Sequence, residues 1–210
     1  MLPIDDCVIH VVDDDEAFRR SLVFLLESVG WRVVSHASAE AYLAAGSDAT
    51  PPAGCLVLDI RMPSMSGLEL QERLNASGTL LPIVFITGHG DVELAVQAMK
   101  HGACDFLQKP FKDQTLLDAV AAAVRRGAEQ RSRAAQRDEA EARLGRLSPR
   151  ELQVARLVAR GLPNKQVARA LDISEKTVHV HRQHVMEKTE TGSAAELARL
   201  MLRADPAALD

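Results

Sequence analysis

The 210-residue sequence predicts two fold classes in series: an α/β unit on a doubly wound five-stranded parallel sheet, then a helical linker and a small all-α unit. Three observations carry this. Through the first half, short apolar runs alternate with amphipathic stretches, the pattern of strands and crossover helices. From Lys112 onward no strand signal remains. The charge balance also changes sign: residues 1–124 hold 8 Lys/Arg against 17 Asp/Glu, and residues 125–210 hold 17 against 12. An acidic front and a basic back point to different partners, with nucleic acid as the second.

Five apolar runs predict the strands: "CVIHVV" at 7–12, "WRVVSH" at 31–36, "CLVLD" at 55–59, "PIVFIT" at 82–87 and "DFLQ" at 105–108. Helical spacing between them appears in Phe18, Leu22, Leu25, Leu26 and Val29, in Tyr42 and Leu43, in Leu68, Leu70 and Leu74, and in Val92, Ala95, Val96 and Met99. Asp15 and Glu16 are read as starting the first helix at its positive end. After Lys112 comes an Ala-, Arg- and Glu-rich helix whose apolar spacing is regular only to about Val124. The boundaries predicted are therefore 1–124, a helical linker at 125–146, and a helical unit at 147–210. "LSPRE" opens the last with Ser148 as N-cap, Pro149 at the first helical position and Glu151 closing a capping box. Its helices are placed at about 149–160, 164–171, 175–188 and 194–203.

No apolar run approaches the roughly 20 residues that span a bilayer, and "MLPIDDC" has no basic start before an apolar stretch. Cys7, Cys55 and Cys104 are widely spaced among apolar residues, as reduced core thiols are. A cytoplasmic protein with no membrane partner is expected.

In a doubly wound sheet, ligands bind beyond the carboxyl ends of the strands. Asp13 and Asp14 end the first strand, Asp59 the third and Thr87 the fourth, and Lys109 follows the fifth. Carboxylates converging there call for a cation, and oxygen-only donors favour a hard divalent ion such as Mg2+. A hydroxyl and an ammonium opposite them suit a transferred phosphoryl group.

"VVDDDE", "LDIRMPSMSG", "FITGHG" and "FLQKPF", in this order and spacing, resemble the receiver domain of two-component response regulators over about residues 6–124. The resemblance implies a flavodoxin-like sheet of strand order 2-1-3-4-5. It implies that Asp59 accepts a phosphoryl group from a sensor histidine kinase, while Asp13, Asp14, Asp59 and the Arg61 main-chain carbonyl hold Mg2+. Thr87 and Lys109 would bind the phosphate oxygens, and Phe106 would be the switch aromatic. Arg61 and His89 stand where family members tune phosphoryl lifetime, and many dimerise through the face of helix 4, strand 5 and helix 5.

A lone aspartate at a strand end is ordinarily a cap; four agreeing motifs are not explained that way. The alternative is a haloacid-dehalogenase-like phosphatase with Asp13 as nucleophile. That family's first motif normally continues with Thr or Val where Ala17 stands, and the helical tail argues against it.

In "NKQVARALDISEKTVHVHRQHVMEK", Val167, Ala168 and Leu171 face inward on one helix and Val178 and Val185 on the next, a helix-turn-helix. Lys176, His179, Val180, Gln183 and Glu187 form the outward stripe. Residues 147–203 resemble the LuxR-type DNA-binding domain, so the whole chain is similar to transcriptional regulators of the FixJ/NarL family. That implies base contacts from His179, Val180 and Gln183, and phosphate contacts from Asn164, Lys165, Lys176, Thr177, Arg182 and Lys188. It further implies promoter DNA, RNA polymerase and a homodimer on phosphorylation as partners, with no enzymatic role in metabolism. A zinc site at His179, His181 and His184 is excluded because these residues fan around the helix. Thr189 stands where the family has an apolar residue, predicting a weakened core contact. Gly192 and Ala194 remove phosphate contacts, so modest affinity for DNA is expected of a monomer.

Overall fold

The computed structural model describes residues 7–46, 53–79, 81–88 and 92–209. Its elements run β1 (Cys7–Val12), α1 (Glu16–Ser28), β2 (Arg32–His36), α2 (Ala39–Ala44), β3 (Ala53–Asp59), α3 (Gly67–Ala76), β4 (Ile83–Thr87), α4 (Val92–Lys100), β5 (Asp105–Gln108) and α5 (Asp113–Leu144). Then follow α6 (Pro149–Ala159), α7 (Asn164–Leu171), α8 (Glu175–Thr189) and α9 (Ala194–Ala204). The chain divides into two compact units, residues 1–131 and 132–210.

In the first unit all five strands are parallel, in the order β2-β1-β3-β4-β5. The central strands are apolar along their whole length because each sheet face is covered. Leu22 and Leu26 of α1 and Leu116, Val120 and Val124 of α5 pack with Ile9, Val11, Val57 and Ile86 on one face. Tyr42 of α2, Leu70 and Leu74 of α3 and Ala98 of α4 pack with Val12, Leu56, Leu58 and Phe85 on the other. This arrangement brings the carboxyl ends of β1, β3 and β4 side by side, since the strand order reverses between β1 and β3.

One expected apolar stripe is displaced, and another loses its last member. On α4, Val96 and Met99 are exposed, whereas Ala98 is fully buried and Leu94 packs against the core. The helix phase is set from outside: the buried Gln71 side chain donates to the Ala98 carbonyl at 3.1 Å, drawing that edge of α4 toward α3. Val29 is also exposed, because α1 ends at Ser28 and the N–H of Val29 already turns back to Leu26. Trp31 packs against that core cluster.

The second unit is helical. Val154, Ala155, Val158, Val167, Val178, Val185, Leu197 and Met201 form its core. Ser148 and Glu151 make the reciprocal capping box, with Pro149 in the first turn. Of the four helices expected there, α7 has the predicted limits and α6, α8 and α9 differ by one residue at their C-terminal ends. Of the segment expected as a helical linker at 125–146, residues 125–144 are helical as part of α5 and the last two form a turn.

Candidate functional site

Asp13 follows directly on β1 and is buried, its main chain and side chain held at every polar group. Its N–H donates to the His36 carbonyl at 3.3 Å, and its carbonyl accepts from the Arg19 guanidinium at 2.7 Å. Oδ1 accepts from the Asp15 N–H at 2.9 Å, and Oδ2 accepts from Lys109 Nζ at 2.9 Å. Asp15 itself caps α1, receiving the N–H groups of Ala17 and Phe18. That is the capping role expected of it; Asp14 between them is exposed.

Asp59 ends β3 and is also buried. Its Oδ1 accepts from Lys109 Nζ at 3.0 Å and its Oδ2 from the Arg61 N–H at 2.8 Å. Lys109 reaches both carboxylates because its N–H is pinned to the Thr87 carbonyl at 2.7 Å, which seats it beside the end of β4. The ammonium also lies 3.9 Å from the centroid of the Phe18 ring, a cation–π contact. Two carboxylates sharing one ammonium would otherwise repel by about 3 kcal/mol at an effective dielectric near 20.

The electrostatics follow. Burial pushes the Asp59 carboxyl up, and the Lys109 hydrogen bond pulls against that shift without cancelling it. For Lys109, burial works against the charged form, yet its hydrogen bonds to Asp13 and Asp59 prevail and raise it. Thr87 is buried at the end of β4. Phe106 sits opposite Phe85 in the β4–β5 register, half-buried against the core. His89 lies outside the described residues.

The donors around Asp13 and Asp59 fit a hard divalent cation in kind, being oxygen-only and acidic. Among the described residues no group of three or more His, Cys, Asp or Glu side chains is arranged to hold a metal ion. In this structure the positive charge between Asp13 and Asp59 is that of Lys109.

In the second unit, α7 stops at Asp172, which takes a left-handed conformation, and Ser174 caps α8 through the Thr177 N–H. The outward stripe is as expected: Lys176, His179, Val180, Gln183 and Glu187 are all exposed, and so are Lys165 and Thr177. Arg182 donates to Asn164 at 3.1 Å, joining α8 to the start of α7. Asn164, His179, Arg182, Gln183 and Met186 line one open cleft. Lys188 is exposed as well, and its ammonium donates to both oxygens of Glu151 at 2.9 and 2.7 Å. Thr189 is fully buried, but its hydroxyl donates to the Val185 carbonyl at 2.7 Å and is shared with Thr191, so it leaves no orphaned polar group.

Two contributors escape a reading by motif, Arg19 and Phe18, and so does the pairing of the capping-box residue Glu151 with Lys188. Spacing places Arg19 one turn into α1, within reach of the strand end, but does not decide that its guanidinium folds back onto the Asp13 carbonyl.

Residues 9–121 match the response regulator receiver domain family, and residues 145–201 match the luxR family of bacterial regulatory proteins. A receiver unit followed along the chain by a luxR-type helix-turn-helix unit defines the class of two-component transcriptional response regulators. Within that class the chain belongs to the family of FixJ and TodT. It is 49% identical to the transcriptional regulatory protein FixJ of Azorhizobium caulinodans over 202 residues, 96% of this chain and 95% of that protein. It is 45% identical to the response regulator protein TmoT of Ectopseudomonas mendocina, covering 94% and 89%. Among solved structures, the response regulator StyR aligns with a TM-score of 0.80 at 46% identity, covering 93% of this chain and 98% of that one. Full-length FixJ from B. japonicum aligns at 0.59 and 45%, covering 94% and 96%. The haloacid-dehalogenase-like alternative finds no support in these likenesses.

Proposed function

We propose that Asp59 receives a phosphoryl group from the phosphohistidine of a sensor histidine kinase, and that the resulting charge controls promoter binding by the helix-turn-helix unit. The observation that carries this is the Lys109 ammonium, hydrogen-bonded to Asp13 and Asp59 together. In the transfer, an Asp59 carboxylate oxygen forms the new O–P bond as the N–P bond to the donor imidazole breaks. Lys109 then turns to the phosphoryl oxygens, joined by the Thr87 hydroxyl. Asp13, Asp14, Asp59 and the Arg61 carbonyl would hold Mg2+. Bound there, the ion supplies charge neutralisation for the incoming phosphoryl group.

The acyl phosphate replaces one negative charge with roughly two and adds acceptor oxygens. Movement of Thr87 toward them opens room for Phe106, biasing the face of α4, β5 and α5 between two states. A homodimer follows, with base contacts from His179, Val180 and Gln183. Phosphate contacts come from Asn164, Lys165, Lys176, Thr177 and Arg182, and from Lys188 through the one ammonium hydrogen not directed at Glu151. RNA polymerase is the downstream partner, and the protein works in the cytoplasm without metabolic turnover of its own. No helix among the described residues is long and apolar enough to cross a membrane.

The test is labelling by a small phosphodonor with magnesium. Wild-type protein should acquire a base-labile, hydroxylamine-sensitive phosphoryl group and Asp59→Asn should not; equal labelling of the variant overturns the assignment.

A further inference from the structure

Asp13 is fixed at four points, of which only one belongs to a group that the phosphoryl reaction would call away. Lys109 bridges Asp13 and Asp59, so if its ammonium turns to a phosphoryl oxygen, the Asp13 carboxylate loses that partner. What remains is the Asp15 N–H on Oδ1, the His36 carbonyl on the Asp13 N–H, and the Arg19 guanidinium on the Asp13 carbonyl at 2.7 Å. The first two are main-chain groups. Arg19 is the one side chain in this set, and the hydrogen bond it makes is charge-assisted and short.

Its position gives it mechanical reach. Arg19 lies in the second turn of α1, and its own N–H donates to the carbonyl of the N-cap Asp15 at 2.9 Å. One residue therefore grips the β1–α1 turn at both ends: main chain to Asp15, side chain to Asp13. The three consecutive aspartates 13–15 lie between these two anchors, in a turn whose carboxylates repel one another.

We propose that Arg19 is a positioning residue of the phosphoryl-transfer pocket, clamping the 13–15 turn through the Asp13 carbonyl so that the acidic donors keep their place when Lys109 leaves. This rests on the reading of Asp59 as phosphoacceptor and of the aspartates as cation ligands. Arg19 touches neither phosphoryl group nor cation; it acts through Asp13. Partners that orient a ligating carboxylate in this way typically govern affinity rather than the identity of the ion.

Two measurements on the full chain test it, and neither needs phosphoryl transfer. The first is Mg2+ titration of Arg19→Ala without phosphodonor, where the dissociation constant should rise about tenfold, the lower end for loss of an orienting partner. The second is amide hydrogen exchange in the cation-free protein, where the amides of residues 13–17 should exchange faster while those of β3 and β4 do not. Arg19→Lys, which keeps a cationic donor, should recover part of both; it also serves if the alanine variant does not fold. Unchanged Mg2+ affinity with unchanged exchange at 13–17 overturns the proposal. So does faster exchange spread evenly through the first unit, which marks a general loss of stability. If the wild type itself neither binds Mg2+ nor is labelled at Asp59, the function reading fails; if it does both and Arg19→Ala behaves identically, only the clamp fails.

Discussion

The Lys188 ammonium donates to both carboxylate oxygens of Glu151, at 2.9 and 2.7 Å, and so fastens α8 to the first turn of α6. Glu151 is simultaneously the closing residue of the α6 capping box, accepting the Ser148 N–H at 2.8 Å. The Lys188 hydrogen bond, followed by that of the Ser148 main chain, holds its carboxyl at about 2.

Glu151→Gln should therefore destabilise the second unit by about 1–2 kcal/mol, the range of a cap and a charge-assisted bond. Because the folded carboxyl titrates below its usual value, its stabilisation is present above pH 4.5 and fades as pH falls toward 2. Urea unfolding of wild type and variant at pH 7 and pH 3 checks this: the difference should narrow at the lower pH.

Lys109→Gln removes the cation from between two buried carboxylates. The first unit should lose about 1–3 kcal/mol at pH 7, less than for a sealed pair because the ammonium is partly exposed. Burial already pushes the Asp59 carboxyl up, so acid relieves the repulsion and the deficit should shrink below neutral pH. Denaturant midpoints measured against pH report it.

Gly67 opens α3 directly behind Asp59, and a Cβ placed there would lie 2.3 Å from the Asp59 carbonyl oxygen and 3.1 Å from Leu58 Cγ. Backbone cannot yield as a flexible side chain does. Gly67→Ala should cost about 2 kcal/mol or more and displace Asp59. A lowered melting temperature together with slower labelling of Asp59 is the expected result.

His10 and His36 meet across β1 and β2, Nδ1 to Nε2 at 3.3 Å, with the Tyr42 ring edge-on to both. Burial, reinforced by the neighbouring His36, pulls His10 down to about 4, and burial also lowers His36. The unfolded chain then takes up protons that the folded one refuses. Stability is full above about pH 6.5 and falls as pH drops toward 4. His10→Leu should flatten this slope in thermal melts between pH 7 and pH 4.5.

Much of the fold is legible in one dimension because its signals are local. "CVIHVV" and "DFLQ" are strands at the predicted limits, and Ser148, Pro149 and Glu151 sit where a capping box demands. The pocket was legible for a different reason: strand-end aspartates are placed by topology, so five strands in parallel order suffice to bring Asp13 and Asp59 together. The phase of α4 was not legible. Val92, Ala95, Val96 and Met99 are as apolar as the residues α4 buries, and a contact from α3 to Ala98 settles which edge turns inward.

By itself, then, the sequence determined the elements, their order and the residue types at the strand ends, since these follow from periodicity, caps and charge. The tertiary structure alone decided which groups those residues engage. Lys109 could have faced solvent, Arg19 could have paired along its own helix, and Lys188 could have lain free on the surface of α8. Each is instead held by a partner 96, 6 or 37 residues away in the chain. Such pairings depend on three-dimensional proximity and desolvation, which no local pattern encodes.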